Sequence, residues 1–541
     1  MHILFFCVRQ QTYLCTRFLR FVSKDMKKLN LLVGLMLTAT TTAMAGGILT
    51  NTNQSIDFLR NPARDAAIGL DGVYSNPAGV VFMSEGFHLG INWQYAHQTR
   101  TITSTNSVFA LGKKNMGADT KVFEGVADAP FIPSLQMAWN KNNWSLQFNF
   151  SVPGGGGACE YADGLGSFEG TVGQIADKFM SMDKLAYALN TATGSSIPYN
   201  GTLGYDMDGY MQGRQYYFGF QLGSAYKVNE NLAVYGGLRL LYGTATYKAR
   251  ISNIMVKTSG GYVDFENVLP NVINQVPNII TVGTPVLTSL KTKEAAGVAL
   301  TDQETALKNG LENLAASKDE LSKLAKYSEG VNLLCNQWSV GIAPVVGVDY
   351  KLGKFNFAAK YEFKTEIHMK NESTVNQASE ISAVNKFRDS EEVNEDQPAQ
   401  LALGAMWNPI DPIRLNAGWH HYFDKNCSWY NNTQDLLDHD TNEFLFGAEW
   451  DVNDRVTISL GGQLTRYGLT DKYMNDMSFV VNSYSLGFGA NFKINENVTL
   501  KGGYFQTNYE NYKRENYPTA GISDTFTRTN YVLGLGCEVT L

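Results

Sequence analysis

The sequence predicts an all-β protein, a 14-stranded antiparallel transmembrane β-barrel with an N-terminal plug (hatch) and helical segments in its external loops. Three observations predict this fold. The chain after residue 85 repeatedly alternates apolar and polar residues, short polar turns alternate with long polar loops, and the last strand runs to Leu541. Successive side chains of a strand point to opposite faces, so alternation separates an apolar from a polar environment. Alternating short turns and long loops are typical of outer-membrane barrels.

The composition argues against two other classes of protein. Of the 541 residues, 18% are charged, and the formal net charge is -7; soluble domains average about 25% charged residues. An acidic chain lacks the basic surface of a nucleic-acid-binding protein, so no nucleic-acid partner is predicted. One apolar run lies near the N terminus, and no second long run follows it, which argues against a polytopic helical membrane protein.

The first 45 residues have the pattern of a targeting segment. From Met26 the chain reads Lys27-Lys28, an apolar stretch over 29–37, and Ala43-Met44-Ala45. These are the basic, apolar and cleavage regions of a secretory signal peptide. We therefore predict a signal peptide over 26–45, cleaved near Ala45, and export to the outer membrane of a Gram-negative bacterium. Residues 1–25 then have no role, which indicates that translation starts at Met26.

The barrel, residues 86–541, is predicted strand by strand from the alternation. In the last strand, for example, Leu533 and Leu535 alternate with Gly534 and Gly536. Strands are predicted near 86–101, 131–140, 143–152, 214–226, 232–252, 338–350, 355–370, 398–407, 413–424, 441–450, 455–468, 478–492, 498–511 and 526–541. Six tight connections rich in turn-forming or solvated residues join neighbours at 140–143, 227–231, 351–354, 408–412, 451–454 and 493–497. The largest external loops are predicted near 153–213 and 253–337.

Those two loops contain helical patterns. One apolar helical face is formed by Ile175, Phe179, Met182, Ala186 and Leu189, and a second by Leu307, Leu311, Leu314, Leu321 and Leu324. The second pattern follows Thr301-x-x-Glu304, a capping box. Helices at the barrel mouth could form a first groove for an apolar ligand. Alternatively, they pack on each other or on the rim only as structural caps.

The mature N-terminal segment, residues 46–85, does not alternate and is predicted to form a compact hatch inside the barrel. It contains Asn61-Pro62-Ala63 and Asn76-Pro77-Ala78-Gly79. Proline lacks the amide hydrogen and disfavours helical geometry in the residue before it, so both sites are predicted as turns.

Three short motifs lie at the ends of predicted elements. Y-S-N-P-A-G-V, over 74–80, precedes the first strand, A-P-F-I-P, over 129–133, opens the second strand, and V-P-G, over 152–154, closes the third. In these motifs, and in the order of hatch, fourteen strands and large loops, the mature chain resembles the FadL family of outer-membrane transporters for long-chain fatty acids and other hydrophobic compounds. The resemblance implies passive uptake, in which a ligand passes from the external loops to a hatch pocket and leaves through a lateral opening in the wall.

The resemblance also implies roles for particular residues. Asn76, Pro77 and Ala78 would belong to the hatch at the ligand pocket, and the third strand would be kinked, with Pro153 and Gly154 as the hinge. Proline removes a ladder donor and glycine weakens strand pairing. Alternatively, these residues only begin an external loop. The final residue departs from the family pattern, because Leu541 stands where an aromatic residue is usual, and the resemblance therefore implies a different strength of recognition by the barrel assembly machinery.

Several charged residues are predicted to face the lumen, among them Arg239, Lys360 and Arg414. A charge away from bulk water must meet water, a partner or a ligand. A basic member could therefore bind a fatty-acid carboxylate, and ion pairing within the lumen is the alternative.

No catalytic residue, metal site or cofactor is predicted. The chain lacks G-x-S-x-G, H-E-x-x-H and P-loop motifs, and His420 and His421 fall on opposite strand faces. Cys159, Cys335 and Cys427 lie in or beside predicted external loops, which leaves one disulfide open without deciding its pairing.

The predicted partners are hydrophobic small molecules (fatty acids or aromatic hydrocarbons), outer-membrane lipid and lipopolysaccharide, and the barrel assembly machinery. Two other functions stay open. A general diffusion porin is one, although a hatch would obstruct a water-filled channel. A structural or adhesive outer-membrane barrel is the other, because the external loops are large.

Overall fold

A computed structural model describes residues 47–324, 330–375 and 382–541. The predicted signal peptide and the segment before it lie outside these residues. Within the described ranges, eighteen strands form one sheet in which β1 pairs with β18, so the sheet closes into a barrel. The strands are β1 Gly86–Thr105, β2 Thr120–Lys141, β3 Trp144–Tyr161, β4 Gly204–Lys227, β5 Leu232–Thr258, β6 Gly261–Asp264, β7 Val331–Leu352, β8 Phe355–Glu362, β9 His368–Val375, β10 Glu392–Asn394, β11 Gln400–Ile410, β12 Ile413–Tyr422, β13 Thr441–Asn453, β14 Val456–Arg466, β15 Ser483–Lys493, β16 Val498–Tyr509, β17 Tyr512–Glu515 and β18 Ser523–Thr540.

The wall has fourteen strand positions, which confirms the predicted fold class. β8 and β9 both pair with β7 and together occupy one wall position. β11 pairs with β8 and β10 pairs with β9, so β10 and β11 together occupy the next position. β16 and β17 both pair with β18, while β6 is a short hairpin partner of β5. All wall pairings are antiparallel, and closure leaves the sheet without an exposed edge.

The strands are longer than the sequence pattern predicts on the side of the long loops. β3 extends to Tyr161 and β4 begins at Gly204, so the loop predicted over 153–213 is shorter at both ends; the same holds for 253–337, because β5 reaches Thr258 and β7 begins at Val331. Above the apolar band, outward positions become polar, as at Lys248 of β5. The alternation signal therefore ends before the hydrogen-bonded ladder does.

The outer face carries a band of exposed apolar side chains, and the inner face is polar or packed against the hatch. Exposed members of the band include Leu222, Leu238, Ile342, Leu460 and Leu535. A continuous apolar surface of this size marks contact with an apolar medium, and this band, with the closed barrel, fits an outer membrane. Among the described helices, none is long and apolar enough to cross a membrane.

The loops contain three long helices, α2 Gly166–Thr193, α3 Phe265–Ala295 and α4 Asp302–Leu324, and the hatch contains a short one, α1 Ile56–Arg60. The apolar face predicted for α2 is buried. The capping box before α4 is confirmed, because Glu304 N donates to Thr301 Oγ1 at 3.2 Å and Thr301 N donates to Glu304 Oε2 at 2.9 Å.

The sequence analysis did not predict α3, which contains Pro270, Pro277 and Pro285. Proline in a helix normally removes a backbone donor and bends the chain. These three prolines recur about every two turns and all are exposed, so the carbonyls that lose a partner lie on one solvent-facing side. The opposite side, including Val268, Val272 and Ile279, is buried against the other loops.

Residues 47–83 lie inside the barrel and are almost entirely buried. α1 packs against β15, β16 and β18, and Ile56 and Leu59 share an apolar cluster with Phe505 and Val532 of the wall. We call this segment the hatch, and its first eight residues, 47–54, the N-terminal segment.

Candidate functional site

The wall is interrupted between β2 and β3. Gly125 and Val126 pair with Tyr161 and Glu160, and pairing resumes only at Leu135 with Phe150. Residues 127–134 of β2 therefore have no ladder partner on β3. We call this interruption the ladder gap. On the outer side of the gap Phe131 is exposed. The Pro130 carbonyl has no partner in the strand ladder and instead accepts a hydrogen bond from the Trp93 indole at 2.8 Å.

Beside the gap, β3 has two extra residues relative to β4. Ser151 pairs with Gly219 and Tyr161 with Met211 of β4, so β3 uses ten steps where β4 uses eight, with register shifts on either side of Gly154. Such bulges bend a strand and leave backbone groups unpaired. Gly155 has a φ of 104°, and a Cβ there would overlap the backbone of Gln215. The structure thus places Pro153 and Gly154 inside a strand, between the two bulges, rather than at the start of a loop.

The N-terminal segment of the hatch covers the gap from inside. Thr50 forms an antiparallel bridge with Gly154, and Asn51 N donates to Pro153 O at 2.8 Å. A Cβ at Gly154 would lie 2.6 Å from the Leu49 carbonyl oxygen, so only glycine permits this approach.

Gln54 joins the two edges of the gap. Its side-chain amide donates to Val152 O at 3.1 Å and accepts from Val152 N at 2.9 Å, both on β3. Its main-chain carbonyl accepts from Ser134 Oγ at 2.7 Å, on β2. All these groups are neutral, so the segment closes the gap with hydrogen bonds and without ion pairs.

A cavity of about 120 Å³ lies beside the gap, between the N-terminal segment and the external loops. We call it the lumen pocket. Its walls are mainly apolar, and its cations are Arg100 and Arg214. The guanidinium carbon of Arg100 lies 5.9 Å from the centre of the Phe479 ring. The lining of the pocket includes Ile48, Leu49, Gly155, Cys159, Tyr161, Met211, Phe479 and Val480.

A larger groove, of about 930 Å³, opens on the outside between α2 and α4. Its floor is apolar, with Met182, Leu185, Leu307 and Leu314. Both outcomes considered for the loop helices therefore occur together. Their inner faces pack as structural caps, and the seam between them forms a groove large enough for a small apolar ligand.

Asn76, Pro77 and Ala78 form a turn near the end of the barrel that carries the short turns. Asn76 Nδ2 donates to Asp349 Oδ2 of β7 at 2.6 Å, and its Oδ1 accepts from Gly79 N at 3.2 Å. Pro77 O accepts from Gln147 at 2.8 Å, and Ala78 is fully buried. The motif lines neither the lumen pocket nor the outer groove, so its contacts attach the hatch to the wall.

The three basic residues proposed to meet a carboxylate are already engaged. Arg239 pairs with Glu362, Arg414 pairs with Glu449 and with Asp451 at 2.5 Å, and Lys360 donates to Tyr74 O at 2.9 Å. Arg239 and Lys360 also lie 4.8 and 4.7 Å from the Tyr74 ring. Burial raises the pKa of Tyr74, so the phenol stays neutral between them. Of the three, only Arg239 lines a small cavity that Pro153 also lines.

A buried ionic network attaches residues 55–83 of the hatch, which we call the lower hatch, to the barrel wall. Glu449 Oε1 lies 2.8 Å from Arg60 and 3.0 Å from Arg64, and Arg64 pairs with Asp71 at 2.8 Å. Asp57 binds Arg60 at 2.7 Å and Lys501 at 2.6 Å. Burial alone would raise the pKa of Asp57, but Lys501 and Arg60 outweigh it and hold that pKa well below its usual range. We call these residues the anchor network.

The thiols of Cys159, Cys335, Cys427 and Cys537 are free in the described part of the chain, so the disulfide left open by the sequence is not formed there.

The side chains of His420 and His421 point to opposite faces of β12, as their adjacent positions in the strand predict. His420 faces the lumen between Asp65 and Glu443, at 2.9 and 3.0 Å, while His421 bonds Asn442.

Sequence reasoning missed the residues that close the gap and line the pocket, namely Asn51, Gln54 and Arg100. The available signal was the run Asn51-Thr52-Asn53-Gln54, four uncharged polar residues in a segment predicted to lie inside a barrel. Such side chains are buried only where they find hydrogen-bond partners.

The comparison with solved structures shows which fold this is. A Pseudomonas aeruginosa FadL homologue is 10% identical and matches with a TM-score of 0.55 over 92% of this chain and 100% of that chain. The Pseudomonas putida toluene transporter TodX is 12% identical, with a TM-score of 0.51 over 87% of this chain and 94% of that chain. No family model and no curated protein sequence matches. The chain therefore has the barrel fold of these FadL-type structures, in agreement with the resemblance found in its sequence.

Proposed function

We propose that this protein is an outer-membrane channel for passive uptake of hydrophobic compounds, such as long-chain fatty acids or aromatic hydrocarbons. The ligand enters the groove between α2 and α4, moves to the lumen pocket, and leaves sideways through the ladder gap when the N-terminal segment moves away. The proposal includes the signal peptide over 26–45, which delivers the chain to that membrane.

One observation carries this proposal: an apolar pocket in the lumen adjoins an interruption of the wall that is closed only by hydrogen bonds from the hatch. A structural barrel needs no interrupted ladder, and a diffusion porin needs no side opening, because its solutes leave along the barrel axis. A side opening serves a ligand that partitions into lipid. The FadL-type fold, which also serves a toluene transporter, supports the same substrate class.

The lumen pocket suggests where an acidic ligand would bind. Arg100 and Arg214 are the cations of that pocket, whereas Arg239, Lys360 and Arg414 do not line it. Arg100 is the more deeply buried of the two, and we therefore assign the carboxylate of a fatty acid to Arg100, with its chain along Ile48, Leu49 and Phe479. A neutral hydrocarbon would use the same apolar walls without Arg100.

The decisive experiment closes the gap without changing the rest of the wall. Across the bulges β3 has two residues more than β4, and β2 has one residue more than β1 between Ala129 and Ile132. Deleting Gly155 and Gly156 from β3 together with Pro130 from β2 therefore gives all four strands the same number of steps and keeps the remaining side chains on their present faces. A matched deletion of Thr519, Ala520 and Gly521, exposed in an external loop, controls for loss of three residues. Surface level and heat-modifiable migration verify that each barrel is folded.

Uptake of a labelled long-chain fatty acid and of labelled toluene is measured in cells that carry or lack the gene. We expect uptake to depend on the gene, to fall at least tenfold in the gap-closing variant, and to persist in the control. Unchanged uptake in the gap-closing variant would refute lateral exit. Gene-independent uptake combined with sugar or ion leakage through the purified barrel would establish a porin instead.

A further inference from the structure

The outer wall of β4, β5 and β7 changes character above the apolar band. Along the outward positions of β5, Leu238 and Leu240 are exposed apolar residues, Tyr242 is half-buried, and the positions beyond it end in Lys248 and Arg250. With a rise of about 3.3 Å per residue and a tilt of about 40°, Lys248 lies about 15 Å beyond Tyr242. This is the level of the polar headgroups and inner saccharides of an outer leaflet.

Two cavities meet at this place and share Arg250. A shallow groove of about 320 Å³ is lined by Tyr210, Lys248, Arg250, Asn332 and Leu334. A cleft of about 250 Å³ continues from Arg250 past Lys113, Lys114 and Lys121. The combined surface is concave, carries five cations beside the four carboxylates of Asp163, Glu169, Asp206 and Asp208, and lies away from the path proposed for the hydrophobic ligand.

The cations differ in how they are held. Lys113 pairs with Asp206 at 2.8 Å, Lys114 with Asp208 at 2.5 Å, and Lys121 with Glu169 at 2.6 Å. Lys248 and Arg250, by contrast, form no ion pair among the described residues, and both are exposed. As successive outward residues of one strand they stand about 7 Å apart, a spacing at which like charges repel.

The nearest carboxylates are occupied. Glu160 accepts from Gln212 at 3.1 Å, and Asp208 accepts from Lys114 and, at 2.6 Å, from Asn253. Among the described residues, Lys248 and Arg250 thus have no carboxylate at ion-pair distance, although Arg250, after the hydrogen bonds from Lys114 and Asn253, contributes to the lowered pKa of Asp208. Leu334 beside them is an exposed apolar side chain. An anion with an attached apolar part fits both features.

We propose that Lys248 and Arg250 bind a phosphate of the lipopolysaccharide headgroup. The Arg250 guanidinium is suited to bidentate phosphate contact and Lys248 supplies a second charge, while Tyr210 and Leu334 contact the saccharide and the base of the acyl chains. The bound glycolipid holds the external loops at a fixed height above the membrane.

The test uses the full-length mature barrel, purified in detergent and stripped of endogenous lipid. Native mass spectrometry measures binding of bisphosphorylated lipid A and of enzymatically dephosphorylated lipid A. The test variant combines Lys248→Gln and Arg250→Gln. The control combines Arg455→Gln and Lys493→Gln, which removes the same two charges from exposed turns at the opposite end of the barrel.

We expect wild type and control to bind bisphosphorylated lipid A at least tenfold more tightly than the test variant binds it, and dephosphorylated lipid A to bind weakly to all three. Equal binding by the test variant would overturn the proposal, as would equal binding of the dephosphorylated lipid. The proposal would also be overturned if inorganic phosphate bound saturably and lipid A failed to displace it, because the site would then be one for a free anion. Heat-modifiable migration confirms that the exposed substitutions leave the barrel folded.

Discussion

The lower hatch, residues 55–83, and the N-terminal segment, residues 47–54, both lie inside the barrel, but they contact the wall through different groups. The lower hatch is held by the anchor network, with Glu449 between Arg60 and Arg64, and by the Asn76–Asp349 contact. The N-terminal segment is held at the gap by amides and carbonyls, with Gln54 at the centre.

This difference indicates which part of the hatch moves. Removing one partner from a buried ion pair leaves an uncompensated charge, which is costly. A neutral hydrogen bond contributes only about 1 kcal/mol net, because water replaces the lost partner. We therefore expect the lower hatch to stay in place during transport while the N-terminal segment opens and closes the gap.

The largest effect is expected from Glu449→Gln. This substitution leaves Arg60 and Arg64 buried without their shared carboxylate, and we expect it to lower the free energy of hatch opening by about 3–5 kcal/mol. Hydrogen exchange of peptides covering residues 55–83 measures that quantity. Glu510→Gln is the matched control, because Glu510 forms an exposed pair with Arg466, which is worth about 1 kcal/mol or less. Equal protection in both variants would contradict the anchor role.

Acid is expected to weaken the same network. The folded-state pKa of Asp57 is held below its usual value of 3.8, so its contribution to stability is complete above pH 3.8 and is lost as the pH falls towards the lower folded value. The thermal midpoint of the wild type should exceed that of Asp57→Asn at pH 7, and the difference should shrink below about pH 3.8. A constant difference from pH 7 to pH 3 would rule out this linkage.

A smaller loss is expected from Asn76→Ala. It removes a bond to the Asp349 carboxylate and the bond to Gly79 N, while Asn356 continues to donate to Asp349 at 2.8 Å. Bonds to charged groups are worth about 1.5–3 kcal/mol, so hatch opening should become easier by about 2 kcal/mol. Fatty-acid affinity measured on the purified barrel should change little. A large loss of affinity with unchanged hatch protection would place the motif at the ligand after all.

The smallest effect on stability, with a clear effect on transport, is expected from Gln54→Ala. It removes the side-chain bonds to Val152 and should cost about 1 kcal/mol of global stability. Because the gap is then less firmly closed, initial uptake should rise about two- to fivefold. Asn53→Ala is the control, since the Asn53 side chain donates to Gln94 of β1 and forms no hydrogen bond with β3 among the described residues. Equal uptake in both variants would argue against Gln54 as the closing residue.

Much of the wall could be predicted from the sequence, because strand periodicity is local information. Residues close in the chain determine the outward apolar series of the last strand, which includes Leu533 and Leu535. They also determine the six tight turns and the Thr301–Glu304 capping box. The helix with Pro270, Pro277 and Pro285 was missed because proline disfavours a helix interior. Only the packing of the opposite helix face against the other loops, which the local sequence does not reveal, offsets that cost.

The candidate site was predictable only in part. Pro153 and Gly154 stand out locally as weak points of a strand, and they lie at the bulges. The contacts of Asn76, Arg239, Lys360 and Arg414 could not be predicted in this way. Residue type and strand parity indicate that a polar or charged side chain faces the lumen, but they do not identify the residue that it contacts. Tertiary contacts decide whether that neighbour is Glu362, Asp451, the Tyr74 carbonyl or a ligand.

The sequence by itself determined that this chain forms a closed barrel with its apolar face outward and a hatch before the first strand. Alternation, turn residues and a polar, proline-containing segment are each encoded within a few residues. Only the tertiary structure decided that the wall is open between β2 and β3, that Gln54 closes the opening, and that Arg100 stands in the adjoining pocket. Each of these depends on residues far apart in the chain, and the physical reason is that a hydrogen bond or an ion pair is specified by position in space, whereas a pattern records only order.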